Sequence, residues 1–319
     1  YTGQFTGNAF ADFLLGYPTT AVSGIGRGDE NGRTNWLHLF VQDDWRMRSN
    51  LTVKVGRRYV DNQHMRDEAN RLSSVDYEAG RFVIASDEQG GINPEARALL
   101  TQIPLPYVTS AEAGWDRGLL SPSHLRLAPR TGFALSFDRD RAVVRGGYGI
   151  FLNQWAYSVQ TAFARNLPFF FTRQVDVPAA QRLPVFQTRN ILTADPTGAV
   201  APTIMDHAYA VEYTQTWSGG LQYELLPSTM VEVSYMGSWT LGADNATVRN
   251  VPEPGPGSIQ SRRPIPLLGP IRSIRFDGKS IYHGLTLKAE QRLHRNYSYS
   301  VSYTLSSSTD DASSPGATE

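Results

Sequence analysis

The feature that most constrains the fold is a two-residue alternation of apolar and polar side chains in segments joined by tight turns. Segment 143–151 reads VVRGGYGIF, and residues 138–141 connect it to a second alternating segment at 130–137. A period of two is the signature of a β-strand, because successive side chains point to opposite faces. One row of the first segment is apolar or glycine, and it consists of Val144, Gly146, Tyr148 and Ile150. The pattern predicts a hairpin with one apolar and one polar face.

Three further hairpins follow the same plan along the chain. The four predicted hairpins cover residues 36–60, 130–151, 213–237 and 281–305, and the long connections between them cover 61–128, 152–212 and 238–280. Alternating short turns and long loops are typical of outer-membrane barrels, whose periplasmic turns are short and whose extracellular loops are long. The strands also approach the ~9–11 residues that a tilted strand needs to cross a bilayer.

Composition excludes several classes of protein. The net charge is zero, which gives no electrostatic reason to expect a nucleic-acid partner. There are no cysteines, so disulfides and cysteine-based metal sites are excluded. Mean hydropathy is −0.34, and no run reaches the ~18–20 apolar residues of a membrane helix. The six histidines show no metal-binding spacing, and we predict neither a cofactor nor a metal site.

We therefore predict an all-β fold, an antiparallel transmembrane β-barrel with long extracellular loops. The chain would supply about eight or nine strands, a number that could close into a barrel alone. The barrel portion would cover residues 1–305, and 306–319 would form a disordered or loop tail. A soluble β-sandwich is the alternative, because the same alternation can pack a core between two sheets.

Smaller elements are predicted outside the hairpins. Segment 8–16 suits a short helix that Asn8 caps and Gly16 ends. A weak strand is expected at 20–25, and a helix at 96–103 follows the Asn93-Pro94-Glu95 start signal.

Arg57 breaks the pattern of its strand. It falls in the row of Leu51, Val53, Val55 and Tyr59, which would face lipid. A lipid-facing arginine costs roughly 2–4 kcal/mol at the bilayer midplane and much less near an interface. Either Arg57 lies near the membrane rim, or a bulge shifts the register, or this strand does not face lipid.

Several segments resemble one known family when they are taken in order. They are FADFLLGYP at 10–18, LFVQDDWR at 39–46, LTVKVGRRY at 51–59, PRTGFALSF at 129–137, VVRGGYGIF at 143–151, LQYELLPSTMVEVSYMGS at 221–238 and YHGLTLKAEQRLHRNYSYSVSYTLSSSTDDA at 282–312. Together they are similar to the Oar-like TonB-dependent receptors. The resemblance covers nearly the whole chain and is weakest in the long connections.

The resemblance implies a large outer-membrane barrel of the Gram-negative type with a plug domain inside it. It also implies uptake of an extracellular substrate, energised by the TonB complex. No plug-like segment and no TonB box are found in these residues, so we expect an internal part of such a barrel, with TonB contacted through an N-terminal region not included here. The family usually has an apolar residue where this chain has Arg57.

Polar residues of the inward rows are the candidates for contact with a plug or for lining a path. They are Lys54, Arg58, Arg145, Gln222, Glu224, Lys288 and Glu290. The first functional hypothesis is transport of an unknown substrate, without enzymatic activity. The second is surface binding or adhesion without transport, and the third and weakest is a soluble β-rich enzyme.

Overall fold

The computed structural model describes residues 1–101, 106–122, 126–153, 160–189, 200–257, 259–294 and 296–312. Within them lie three α-helices, α1 Ala9–Leu15, α2 Pro94–Leu100 and α3 Ser110–Ala113. Short 3₁₀ turns cover Thr161–Arg165 and Gln260–Arg262. The strands are β1 Thr20–Gly26, β2 Gly32–Arg33, β3 Trp36–Arg48, β4 Leu51–Asn62, β5 Arg66–Asp67, β6 Ser73–Asp76, β7 Arg81–Ile84, β8 Tyr107–Thr109, β9 Leu127–Phe137, β10 Ala142–Leu152, β11 Phe170–Asp176, β12 Thr203–Met205, β13 Tyr213–Leu226, β14 Thr229–Arg249, β15 Ile271–His294 and β16 Tyr297–Asp310.

Eight long strands form one antiparallel wall in the described part of the chain. Their spatial order is β3, β4, β9, β10, β13, β14, β15 and β16, which is also their order in sequence. The four predicted hairpins are therefore confirmed, and each pairs with the next. The short parallel strand β12 adds to β15 beyond the end of β16. The wall is an open sheet, in which β3 and β16 are the two edges.

Three residues of the tight turns are Asp or Asn with a left-handed backbone. Asp138 and Asp140 in the turn between β9 and β10 have φ values of 53° and 68°, and Asn296 after β15 has 71°. Asp and Asn adopt this conformation more easily than other non-glycine residues, because their short side chains hydrogen-bond the local backbone. These turns hold consecutive strands in register at one end of the wall.

Three strands extend well beyond the predicted hairpins. β14 continues to Arg249 and β15 starts at Ile271, so much of the predicted connection 238–280 is strand. β16 continues to Asp310, and residues 306–310 belong to the sheet rather than to the tail predicted for 306–319. Residues 313–319 lie outside the described residues. The extensions of β14 and β15 pair with each other, and the extension of β16 pairs with β15. Ile274 and Phe276 alternate in the β15 extension and are buried in the cap instead of facing lipid, and only the β16 extension lacks apolar residues.

The long connections pack into an ordered layer, which we call the cap, made of the described residues of 1–35, 63–126, 160–212 and 242–279. Its core unites distant segments: Leu72, Leu119, Phe163 and Met205 lie in one cluster and are at most 1% exposed. Burial of apolar surface from several loops gives the cap a hydrophobic core of its own. The cap lies at the end of the wall opposite the tight turns, the end that the loop lengths predict to be extracellular.

The small elements of the cap follow their local signals. Asn8 accepts hydrogen bonds from the backbone amides of Phe10 and Ala11, and Gly16 ends α1 with a φ of 69°, as predicted. The weak strand expected at 20–25 is β1. Helix α2 begins at Pro94 and ends at Leu100, earlier than the predicted end, and residues 102–103 of that prediction lie outside the described residues.

Candidate functional site

The register of the wall places all seven predicted site residues on one face. Lys54 lies directly across from Asp44 and Gly132, and the same face continues through Gly147 and Ser218. Residues two apart on a strand share a face. The other predicted residues join this inner face by the same rule, and they are Arg58, Arg145, Gln222, Glu224, Lys288 and Glu290. Their assignment to plug contact or to a transport path stays a prediction.

An ion pair crosses the middle of the inner face. An Nη of Arg145 on β10 lies 2.7 Å from Oε1 of Glu232 on β14. Strand β13 runs between them, and Arg145 is paired there with Gly220, which has no side chain to block the crossing. Glu232 lies directly across from Lys288, so the carboxylate stands between two cations. The charged residues thus form a row that spans four neighbouring strands, β10, β13, β14 and β15.

Two further ion pairs on the inner face involve residues that the sequence predicted. Nζ of Lys54 lies 3.0 Å from Asp44, and Nζ of Lys288 lies 2.5 Å from Glu290, two positions along the same strand. Glu232 and Asp44 are absent from the sequence-based prediction. Both sit in rows that the sequence shows to be polar, but their partners depend on pairing between strands, which local patterns do not reveal.

The remaining predicted residues are spread along the inner face rather than gathered in one place. Arg58 is exposed and lies across from Phe40. The side-chain amide of Gln222 contacts the sulfur of Met230, and the backbone amide of Glu224 donates to the carbonyl of Arg141 at 2.8 Å. The structure therefore pairs Arg145 with Glu232 and places Lys288 directly across from Glu232, whereas Lys54 and Arg58 lie several strands away.

The opposite face of the wall is apolar and has aromatic residues toward both ends. Tyr213 lies at the cap end of β13, and Tyr223 lies near the turns, where its hydroxyl donates to Asp138 at 3.3 Å. Ten residues at ~3.4 Å each, tilted by ~40°, span roughly 26 Å of membrane. Outer-membrane barrels carry an apolar band of ~25 Å between aromatic girdles. This outer face has the dimensions of a lipid-facing surface.

Arg57 belongs to the outer face. It pairs with Val41 and Pro129 without a register shift at this position, so a bulge does not explain the break in the pattern. Its side chain is exposed, and Asp43 is a diagonal neighbour on the same face. Arg57 lies between the middle of β4 and Tyr59, and Tyr59 is near the cap end of the strand. At this position a charge costs less free energy than at the bilayer midplane.

The cap holds buried ionisable groups outside the membrane band. Burial lowers the pKa of His64, whose Nε2 lies 2.9 Å from the carbonyl oxygen of Ser121. Burial alone would raise the pKa of Asp67. The carboxylate, however, accepts hydrogen bonds from the backbone amides of Arg71 and Asn31 and from the Arg71 guanidinium, and these donors bring its pKa below the usual value. Both groups fix loop segments to one another.

Across the described ranges, no cluster of three or more His, Asp or Glu side chains has the geometry of a metal site. No helix of those ranges is long and apolar enough to cross a membrane.

The fold and the two faces define a class: the wall of a transmembrane antiparallel β-barrel, with an apolar surface toward lipid and a charged surface toward the interior. The sequence agrees over its whole length, because residues 1–319 match the model of the family described as outer membrane beta barrel domain. The chain belongs to this family and is a protein of the outer membrane of Gram-negative type. No curated protein matches it in sequence.

Several solved structures resemble part of the chain at low sequence identity. The outer membrane transporter YddB from Escherichia coli is 11% identical with a TM-score of 0.47, over 86% of this chain and 25% of that one. The siderophore receptor PirA from Pseudomonas aeruginosa is 12% identical with a TM-score of 0.41, over 88% and 37%. The alcaligin outer membrane receptor FauA from Bordetella pertussis is 12% identical with a TM-score of 0.36, over 90% and 32%. The chain spans only about a quarter to two fifths of their lengths.

Proposed function

We propose that this chain is part of the barrel wall and extracellular loops of a TonB-dependent receptor of the Oar-like type. In this proposal the complete protein takes up an extracellular substrate through the barrel, and the TonB complex drives the step by acting on a plug encoded outside these 319 residues. The chain has no enzymatic role in the proposal. The inner-face residues Arg145, Glu232 and Lys288 would contact the plug or line the path.

The size of the inner-face side chains carries the proposal. A barrel of about eight strands is filled by its own inward side chains. The inner face here instead presents glycines in its middle strands, namely Gly132, Gly147, Gly220 and Gly284. Such a face cannot fill a narrow barrel, and it suits a wider one whose interior holds water or a plug.

The open edges support the same proposal. Every residue of β3 and of β16 is exposed, and each strand has one neighbour only in the described sheet. Unpaired backbone groups in lipid cost several kcal/mol each, so membrane barrels close without edges. Additional strands of the complete protein would pair with β3 and β16.

The ordered cap favours the second candidate function, surface binding or adhesion without transport. Because the cap has a buried core, it offers an extracellular surface of fixed shape even where no substrate passes. The two functions differ in their need for energy. Transport requires TonB, whereas adhesion does not.

A depletion experiment tests transport. Wild-type cells, cells lacking the complete gene and cells lacking TonB would be grown in the same medium, and the loss of compounds from it followed by mass spectrometry. Transport predicts a compound whose disappearance needs both genes. If no compound depends on the gene, and cells lacking TonB still attach normally to surfaces in a gene-dependent way, adhesion is the function.

A further inference from the structure

Three glycines interrupt the lipid-facing surface of the central strands, and only two are covered. The ring of Phe133 lies over Gly146, where an added Cβ would come within 2.7 Å of Cε1. The indole of Trp217 lies over Gly237 in the same way. Aromatic rings commonly cover glycines of sheets and replace the missing packing. At Gly219, in contrast, an added Cβ would meet nothing within 4 Å.

Gly219 is therefore the floor of a hollow in the outer face. It pairs with Gly146 of β10 on one side and with Tyr235 of β14 on the other. Gly146 in turn pairs with Phe133 of β9, so the two positions between Phe133 and Tyr235 have no side chain. The hollow has a volume of about 770 Å³. Val144 and Leu221 form its side toward the turns, and Tyr148 lies toward the cap.

Two tyrosine hydroxyls beside the hollow are already paired within the wall. The hydroxyl of Tyr148 donates to Oε1 of Gln215 at 2.7 Å, and the hydroxyl of Tyr235 lies 2.7 Å from Nδ1 of His283. Arg145 is on the inner face, bound to Glu232. A ligand in the hollow would find no unsatisfied donor or acceptor among these groups, so an apolar ligand fits and a polar one does not.

We propose that the hollow over Gly219 seats one acyl chain of a membrane lipid. The surface around it is continuous with the lipid-facing band, so the bilayer itself brings acyl chains to this position. A hollow without contents leaves its lining without partner atoms, whereas a flexible hydrocarbon chain restores those contacts. Phe133 and Tyr235 bound the seat on either side and would hold the chain along the strands.

Native mass spectrometry of the complete protein tests the proposal. The wild type, Gly219→Leu and the control Ala289→Leu would be extracted from outer membranes in mild detergent, delipidated and titrated with phosphatidylethanolamine. Leucine at 219 fills the hollow, whereas leucine at 289 adds apolar bulk to the lipid-facing row of β15, away from the hollow. We expect a roughly tenfold or larger loss of the first bound lipid in Gly219→Leu only, because small changes in an apolar pocket alter binding by ~10–200-fold.

Each other outcome overturns the proposal. Equal lipid binding by the wild type and Gly219→Leu means that the hollow holds no acyl chain. An equal loss in both variants means that lipid binds the surface without a seat. A wild-type dimer that Gly219→Leu dissociates means that a second copy fills the hollow. If Gly219→Leu loses its heat-modifiable gel mobility and so fails to fold, Gly219→Ala replaces it and must show a smaller loss in the same direction.

Discussion

Arg145 reaches across an entire strand to Glu232, and Gly220 leaves the space for it. The ion pair has an N–O distance of 2.7 Å, with the arginine side chain 52% exposed and the glutamate 17% exposed. Charge on the inner face is therefore organised between second-neighbour strands. Such a crossing is possible only where the intervening residue is as small as glycine.

Glu232→Gln removes this pair and lowers the free energy of unfolding of the complete protein modestly. We expect a loss of about 0.5–1 kcal/mol, since the arginine is half exposed and exposed ion pairs contribute ~0–1 kcal/mol. Urea-dependent loss of heat-modifiable gel mobility measures it. Glu224→Gln is the matched control on the same face and changes stability less. An equal effect of the two variants would show that the Arg145 contact contributes nothing.

The sequence was sufficient to predict the strands in the membrane-embedded part of the wall, but it was insufficient to predict how far they continue above the membrane. Within the bilayer one face must be apolar, so rows such as that of Val301, Tyr303 and Leu305 are visible in the sequence. Above the membrane both faces of a strand contact water or the cap. Residues 306–310 read SSSTD and lack an apolar row, although they pair with β15.

The candidate site was predicted residue by residue but not as a set of contacts. Alternation identified Arg145 and Lys288 as inward, and it cannot show that Arg145 pairs with Glu232 or that Lys288 lies across from Glu232. Such contacts depend on the register between β10, β13 and β14, which the turns and the long loops set together.

Arg57→Leu tests the assignment of faces. It replaces a lipid-facing charge with an apolar side chain, so it raises the free energy of unfolding in a bilayer by about 2 kcal/mol, between the values for an interface and the midplane. Arg58→Leu is the matched control, because its side chain faces the interior and gains nothing from lipid. Stabilisation by Arg58→Leu alone would show that the two faces are reversed.

His64 makes the stability of the cap depend on pH. Burial lowers its pKa in the folded protein, so the unfolded chain binds the proton first as the pH falls. The stabilisation of the cap by neutral His64 is complete above the pKa of histidine in the unfolded chain, ~6.5, and is lost progressively as the pH falls below that value. Hydrogen exchange around Leu119 and Met205, once corrected for the intrinsic pH dependence of amide exchange, should therefore accelerate as the pH falls from 7.5 to 5.5.

The matched variants for this pH effect are two histidine replacements. His64→Gln removes much of the acceleration, whereas His38→Gln retains it, because His38 is exposed on β3 and bonds Asn62. If the exchange rates of the wild type follow only the intrinsic pH dependence of amides, His64 has no such role.

Asn250 fixes the loop between β14 and β15. Its side-chain amide lies 2.8 to 3.0 Å from the carbonyl oxygens of Ile265, Leu268 and Gly269, and the residue is 1% exposed. Asn250→Asp replaces that donor with an acceptor of the same shape and leaves buried carbonyls unpaired, at ~1–3 kcal/mol each. Limited proteolysis should then cut residues 250–270 faster. Asn245→Asp, on β14, is the control and leaves the loop protected.

The alternation of faces along β16 is the most direct test of the account. These 319 residues contain no cysteine, so single cysteines can be introduced at Ser300, Val301, Ser302, Tyr303 and Thr304 of the complete protein with any other cysteine replaced. In outer membranes, Val301→Cys and Tyr303→Cys should react only with a lipid-soluble maleimide, and the cysteines at 300, 302 and 304 with a water-soluble one. Equal labelling of all five by the water-soluble reagent would contradict a membrane-spanning wall.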